Sequence, residues 1–541
     1  MKSTYNSLIL AVLSGVLLAL PWLVPHTGVL LLFAFVPLLW MEHLFAQEQR
    51  KGAWKYYALT FFIWNALTVF WVCWITVPGG IFAVLGNAFQ MFFVFALFRL
   101  VKKGLSRKKG WDGFAYVFLA SAWLAWEYLY FDAEISFPWL VLGNGFATSF
   151  RFIQWYEVTG ALGGSLWVWI CNILFLYVLK GTHPLRMGSV ALCVILLPIA
   201  ASLIRFYTYQ EPEQTVEVVV LQPNIDPTPG ADGVSEKFGG MSEIEQAKKL
   251  LNLGEGLISQ QTTYVFAPET CIQNVKEGSF FSHPALAYFD SFFRQFPNTS
   301  FVFGASTYAF YPNSSQKPTP SARRYGLTWY DAFNTAIQLD RDSSIQGYHK
   351  SKLVVGAEKM PFVDKIPLIE KMALNLGGTT GTLGTQPERT VFVRPDKAAS
   401  VGVAICYESI YGDFVTEYVK KGASLLAVIT NDGWWGDTPG YKQHVSYASL
   451  RAIETRRSIA RSANTGISAL INPRGERLSQ TDWWVAGALK GNLPVNTALT
   501  PYVRYGDWIG PVGVVLSAAL LLLSLLLRLF GKRKVPQRHI K

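Results

Sequence analysis

The chain has 541 residues, of which 51% are hydrophobic and 15% aromatic, and only 16% are charged, where a soluble protein of this size carries about a quarter. That deficit excludes an ordinary soluble protein and points to a membrane protein. The net charge of +12 comes without an aromatic-and-basic recognition motif or zinc-finger spacing, so no nucleic-acid partner is expected.

Seven apolar segments of roughly spanning length fill the first two hundred residues, at about 8–24, 29–45, 57–77, 81–100, 114–130, 158–179 and 188–204, and an eighth lies at 508–530. The first reads as a retained helix, because the chain is apolar again after Pro25 and no small-residue cleavage site stands out. Lys2, the basic residues at 50–55, those at 102–109, Lys180 with Arg186, and the tail residues Arg528, Lys532, Arg533, Lys534 and Arg538 all fall on one side if there are eight crossings. The short loops between them, "VPHTG" and "TVPGG", hold no lysine or arginine. This positive-inside pattern predicts cytoplasmic termini, with the long stretch between helices seven and eight outside. The expected division is a membrane domain at 1–207, a catalytic domain at 208–505, and a last helix with a basic tail at 506–541.

From about 208 to 505 the texture changes. Short apolar runs such as "VEVVVLQPN", "TYVFAPET", "TSFVFGAST", "SVGVAICYE" and "ASLLAVITNDGW" alternate with helix-like stretches at 243–259, 285–296, 414–421 and 441–464. Strands alternating with helices predict a layered α/β domain with its polar residues where strands end. Residues 311–324 and 229–240 read as loops, either lids or solvated connections. Of the five cysteines, Cys73, Cys171 and Cys193 lie in helices, and only Cys271 and Cys406 belong to the outer segment. With no HExxH and no CxxC pair, neither metal nor cofactor is expected. A reversible Cys271–Cys406 disulfide is one hypothesis.

Three strand ends carry a carboxylate, an ammonium and a thiol: Glu269 after "TYVFAP", Lys350 after "SIQGYH" and Cys406 after "SVGVAI". Gathered at one sheet edge, they supply a base, an oxyanion-stabilising cation and a nucleophile. Each has a bland reading: a capping acid, a surface lysine, and a cysteine packed as a small hydrophobe. His444 suggests a Cys–His pair, but no residue to orient it is recognisable. Cys271, two residues beyond Glu269, shares its face if the strand continues. Glu127 in helix five is expected to anchor the loop containing Trp139.

"FAPET" (266–270), "YHKSKLVVGAEKMPF" (348–362) and "AICYESIYGD" (404–413) resemble the three catalytic segments of the nitrilase (carbon–nitrogen hydrolase) superfamily. "TNDGWWGDTPG" and the stretch from "QHVSY" to "NPRGE" extend the match. With helices in front and one behind, and with "FPWLVLGNGF" and "LTPYVRYGDW", the whole chain resembles the apolipoprotein N-acyltransferase family. The resemblance implies a multi-span α-helical bundle of about eight transmembrane helices plus an extracytoplasmic α-β-β-α sandwich. It also implies transfer of an acyl chain from a phospholipid, through a thioester on Cys406, to the α-amine of an S-diacylglyceryl cysteine at an apolipoprotein N-terminus. Glu269 becomes the base, Lys350 the oxyanion lysine and Cys406 the nucleophile, with Glu358, Tyr407 and Glu408 in support and Glu408 placing Lys350 or tuning the site. The implied setting is a monomer in a bacterial inner membrane, catalytic domain periplasmic. Lys352 stands where relatives carry histidine, and the eight-residue spacing to Glu358 singles out Lys350 rather than Lys352. The tryptophan expected after "QPN" is missing near Phe238. Alternatives are a membrane-tethered amidase and a non-catalytic binding or transport protein.

Overall fold

The computed structural model describes residues 2–230, 232–342, 344–362 and 382–530; the predicted basic tail beyond Phe530 lies outside them. Among the described residues, six helices are long and apolar enough to cross a bilayer: Asn6–Leu23, Gly28–Gln47, Val77–Leu105, Tyr156–Leu179, Pro184–Thr208 and Ile509–Phe530. The other two expected segments are also helical but differ in kind. The one at 57–77 is a 15-residue helix, Trp54–Thr68, a break, and a single turn, Val72–Ile75. At about 1.5 Å per residue, the longer piece falls short of a hydrocarbon core. The one at 114–130 is the helix Asp112–Tyr130, whose two acids, two tryptophans and three tyrosines dilute its apolar character.

The bundle packs on aromatic rings, with Phe35 stacked on Trp169 at 4.4 Å and set edge-on to Trp123 at 5.4 Å. Pro37 leaves the second span interrupted at Phe35. Buried Asn172 repairs the break, accepting from Phe35 N at 2.8 Å and donating to Leu31 O at 2.8 Å, as freed backbone groups require away from water. Glu127 accepts from Trp123 Nε1 at 3.0 Å and Leu142 N at 2.8 Å, so it does anchor the loop containing Trp139.

The rest of the chain is two sheets face to face with helices outside. The first runs Gly487–Pro494, Thr215–Gln222, Tyr264–Phe266, Ser300–Tyr311, Thr328–Leu339, Arg323–Tyr325, with Ile272–Lys276 and Ile345–His349 paired beside it. The second runs Arg477–Gln480, Ala469–Ile471, Ile459–Ala463, Leu425–Thr430, Ser400–Ile405, Val391–Val393. The period-two alternation of a strand sorts the layers. Val218 and Val220 enter the core between the sheets with Val401 and Val403, while Val219 and Leu221 pack on Leu250 and Leu251 of the outer helix Glu243–Gly254. The result is the α-β-β-α order implied by the resemblance.

The predicted helix at 441–464 is two elements: Pro439–Thr455 ends where Arg456 turns left-handed (φ 50°), and the strand Ile459–Ala463 follows. The helix Pro439–Thr455 is also where the sandwich meets the bundle. Gln443 Oε1 accepts from Trp71 Nε1 at 3.2 Å and Trp139 Nε1 at 2.7 Å, and its Nε2 lies 3.2 Å from both Trp22 O and Thr68 O. Tyr447 OH donates to Trp139 O at 2.8 Å and accepts from Trp22 Nε1 at 2.9 Å. Neither predicted loop is free of the fold. Within 311–324, Thr319 and Ser321 donate to Asp331, and within 229–240, Lys237 is buried and Phe238 stacks on Trp434 at 6.1 Å.

Candidate active site

The strand Ser400–Ile405 is apolar and buried, and it stops at Cys406, where φ is +51°. A left-handed backbone at a residue with a side chain costs on the order of 1 kcal/mol or more, and surrounding contacts must hold it. Ser409 Oγ donates to Cys406 O at 2.7 Å, and Glu408 ties the turn back to the strand. The carboxylate of Glu408 accepts from Ile405 N at 2.8 Å, Ser351 N at 2.7 Å and Tyr348 OH at 2.7 Å. Glu408 therefore joins the end of the Cys406 strand to the residue after Lys350 through backbone N–H groups. Burial raises its carboxyl, and those donors oppose the shift.

Glu269 lies beyond the strand Tyr264–Phe266. Its Oε1 accepts from Lys350 Nζ at 2.9 Å and Asn334 Nδ2 at 2.7 Å, and its Oε2 from Asn431 N at 3.1 Å. Lys350, 1% exposed, also donates to Glu358 Oε1 at 2.9 Å. Asn334 Nδ2 reaches the same oxygen at 2.9 Å, and Val354 N donates to Glu358 Oε2 at 2.9 Å. Burial works against the Lys350 ammonium, but the charges of Glu269 and Glu358 outweigh it and hold the group well above an ordinary lysine. The Cys406 thiol, 8% exposed, is pushed up by burial and then by Glu269, with Lys350 pulling the other way. It is therefore a protonated thiol at neutral pH, and a base must take its proton as it reacts.

The structure thus brings Glu269 and Lys350 to Cys406, with Glu358 on Lys350 and Glu408 tying the Cys406 turn to the residue after Lys350. Tyr407 faces the bundle instead: its OH donates to Ser136 O at 2.9 Å. Lys352 points the same way, to Phe131 O at 3.1 Å and Asp132 Oδ1 at 2.6 Å. The expected shared face of Glu269 and Cys271 is absent, because Thr270 is left-handed (φ 46°) and breaks the alternation. Cys271 is turned into the core beneath the outer helices with its Sγ at 3.3 Å from Gly304 O, Cys406 belongs to the core between the sheets, and both thiols are free. Burial raises Cys271 to about 12.

Three functional neighbours escaped the sequence reading. Asn334 bridges the two carboxylates, and nothing in its strand marked it, since Asp331, Thr335 and Gln338 are polar as well. Lys237 donates to Thr270 Oγ1 at 2.9 Å and to Glu269 O at 3.2 Å. Asp432 lies 3.0 Å from His444 Nδ1, which supplies the orienting residue that the sequence did not disclose. His444 Nε2 nonetheless faces the Cys406 carbonyl at 3.2 Å, so the ring is no base for the thiol.

Gly304 fixes Glu269 sterically: a β-carbon there would sit 2.6 Å from Glu269 Cα and 2.5 Å from Thr270 N. With Cys406 as the nucleophile that the resemblance implies, Gly304→Ala is expected to slow its acylation by at least about tenfold, since misplacing a group by 1 Å costs on the order of a hundredfold. Gly347→Ala, whose methyl meets only Thr335 Cγ2 at 4.0 Å, is expected to leave the rate unchanged. Mass spectrometry of the acyl-enzyme over time compares them.

A cavity of about 1250 Å³ opens at the junction of bundle and sandwich, bordered by Asp132, Glu134, Ser351, Lys352 and Tyr411.

Residues 14–174 match the family model for the apolipoprotein N-acyltransferase N-terminal domain, and residues 241–500 match that for carbon–nitrogen hydrolase. Fold and matches together define a carbon–nitrogen hydrolase domain carried on a membrane-type helical bundle. The apolipoprotein N-acyltransferase of Chlorobaculum tepidum is 28% identical over 95% of this chain and 96% of its own. That of Thermotoga maritima is 27% identical over 97% and 95%. Among solved structures, Saccharomyces cerevisiae Nit3 aligns with 55% of this chain and 93% of its own at 14% identity and a TM-score of 0.37. The chain belongs to the apolipoprotein N-acyltransferase family.

Proposed function

We propose that this protein is a membrane acyltransferase that moves an acyl chain from a phospholipid to the α-amine of an S-diacylglyceryl cysteine at the N-terminus of an apolipoprotein. One observation carries the reading: a thiol held at a strained strand end, beside a buried carboxylate–ammonium–carboxylate set, within a chain whose other half is a bundle of apolar helices.

In the first step Glu269 takes the Cys406 proton as sulfur bonds to the ester carbonyl carbon. The ester C–O bond then breaks, and Glu269 returns the proton to the departing lysophospholipid alkoxide. Lys350 Nζ faces the oxyanion of the tetrahedral intermediate. In the second step the amine attacks the thioester carbonyl, the C–S bond breaks, and the amine proton returns through Glu269 to the sulfur. Glu358 and Asn334 hold Lys350, Glu408 holds the two strand ends together, and Tyr407 fastens the turn to the bundle. Both substrates are lipids, and lifting one into water costs about 0.8 kcal/mol per exposed CH₂, so a site at the bilayer surface avoids that cost. The lysine and arginine clusters support cytoplasmic termini, a catalytic part at 208–505 on the outer face of a bacterial inner membrane, and flanking membrane parts at 1–207 and 506–541.

Wild type incubated with a defined phospholipid is expected to gain one hydroxylamine-labile acyl mass, and Cys406→Ala none. A diacylglyceryl-cysteine peptide then discharges the adduct. Discharge by water at the same rate points to an amidase, and no adduct despite bound lipid overturns the reading.

A further inference from the structure

Behind Cys406 lies a set of side chains that the reaction as written leaves idle. Ser409, Thr430, Asp432, His444 and Arg461 are all fully buried. Asp432 Oδ2 accepts from Arg461 Nη2 at 2.6 Å and Oδ1 from Thr430 Oγ1 at 2.7 Å, and these contacts with His444 outweigh burial to hold its carboxyl down at about 2. His444 Nδ1 lies 3.0 Å from Asp432 Oδ1 and 3.2 Å from Arg461 Nη2. Nε2 lies 3.2 Å from the Cys406 carbonyl and 3.0 Å from Ser409 Oγ.

A count of protons assigns the ring. The Ser409 hydroxyl donates to the Cys406 carbonyl at 2.7 Å, so Nε2 meets acceptors and carries the proton. Burial holds the ring below the usual imidazole range, so Nδ1 is the bare nitrogen and accepts from Arg461 Nη2 at 3.2 Å, a guanidinium that Asp432 holds in place. The ring cannot swing away, because Trp139 of the bundle loop lies 5.7 Å from it and Trp435 lies 5.4 Å from it.

We propose that His444 is a positioning residue: Asp432 and Arg461 fix its ring so that Nε2–H grips the Cys406 carbonyl, holds the left-handed backbone there and sets the thiol against Glu269 and Lys350. The role rests on Cys406 being the reacting thiol. It differs from a Cys–His pair, since the ring acts on the backbone and takes no proton from sulfur.

The test compares His444→Leu, which cannot donate, with His444→Gln, whose amide can, in the full-length protein in detergent. Alkylation of Cys406 by iodoacetamide is followed across pH by peptide mass mapping, which needs no acyl donor and so stands or falls apart from the proposed reaction. The charged groups that set its midpoint are Glu269, Lys350 and Asp432 around the sulfur, with Asp432 and Arg461 around the ring. Leucine is expected to slow alkylation at least tenfold and move its pH midpoint upward, while glutamine stays within about threefold of wild type. In phospholipid turnover the leucine variant loses rate without a change in half-saturating lipid. A folded leucine variant with wild-type rate and midpoint overturns the proposal. If leucine does not fold, a folded glutamine variant slowed tenfold does the same.

Discussion

Replacing Lys350 with methionine is expected to slow acylation of Cys406 at least a thousandfold. Losing one preorganised oxyanion donor costs about a hundred- to a thousandfold, and here the same atom also neutralises Glu269 and Glu358, each 2.9 Å away. Without it the two carboxylates compete around the single Asn334 amide, and one takes up a proton. If that proton falls on Glu269, the base is lost together with the oxyanion cation. Breaking a buried ion pair on one side also destabilises by about 3–5 kcal/mol, so melting is measured alongside the single-turnover rate. Arginine is not expected to rescue, because a residue 1% exposed leaves no room for a planar fork. Lys352→Ala is expected to stay within about threefold of wild type, since its partner Asp132 is 86% exposed and such pairs contribute little. An active Lys350→Met enzyme beside an inactive Lys352→Ala would reverse the assignment of the two lysines.

Glu408→Ala should damage stability and rate together. It strips the acceptor from Ile405 N, Ser351 N and Tyr348 OH at once, and each orphaned buried donor costs about 1–3 kcal/mol. The two backbone groups flank Cys406 and Lys350, so both reacting side chains lose their fixed separation. Glutamine keeps the size but turns an amide NH₂ or a single oxygen toward several donors, and it should fall between alanine and wild type. Hydrogen exchange at Ile405 and Ser351 reports the loosening directly. A Glu408→Ala protein with normal exchange there and a normal rate would mean that the carboxylate does not hold these strand ends together.

Two of the strand ends were legible because "TYVFAP" and "SVGVAI" are short apolar stretches that run into one reactive side chain, while Lys350, after the polar "SIQGYH", was legible only from the specific motif around it. The layer order came only with the resemblance, since "VEVVVLQ" is apolar without a break from Val218 to Leu221, as a strand buried on both faces must be. The second half of the stretch at 441–464 was not legible. Its strand carries Arg461, and Arg456 and Arg457 precede it, all three at most 2% exposed. Arginine counts as a helix former and a surface residue when neighbours in space are unknown, whereas here carbonyls and acids from distant segments satisfy it, such as Ala423 O and Ala498 O for Arg457. Asp432 stayed hidden from His444 because a turn, a helix start and twelve positions separate them in sequence. The break near Phe35 was invisible for the same cause, as the asparagine that repairs it is 137 residues away.

Gln443 has a consequence for how the protein is made. Its one amide serves Trp22, Thr68 with Trp71, and Trp139, which come from three separate stretches of the bundle. A catalytic half cut free at the helix ends would carry that amide and its aromatic surroundings bare into water. Equally, a bundle that inserted with one of those stretches out of place would leave the helix Pro439–Thr455 unseated directly behind the thiol. Under the proposed reaction, correct seating of the bundle is thus a precondition for chemistry at Cys406, and acylation of that thiol is a readout that the membrane half has assembled.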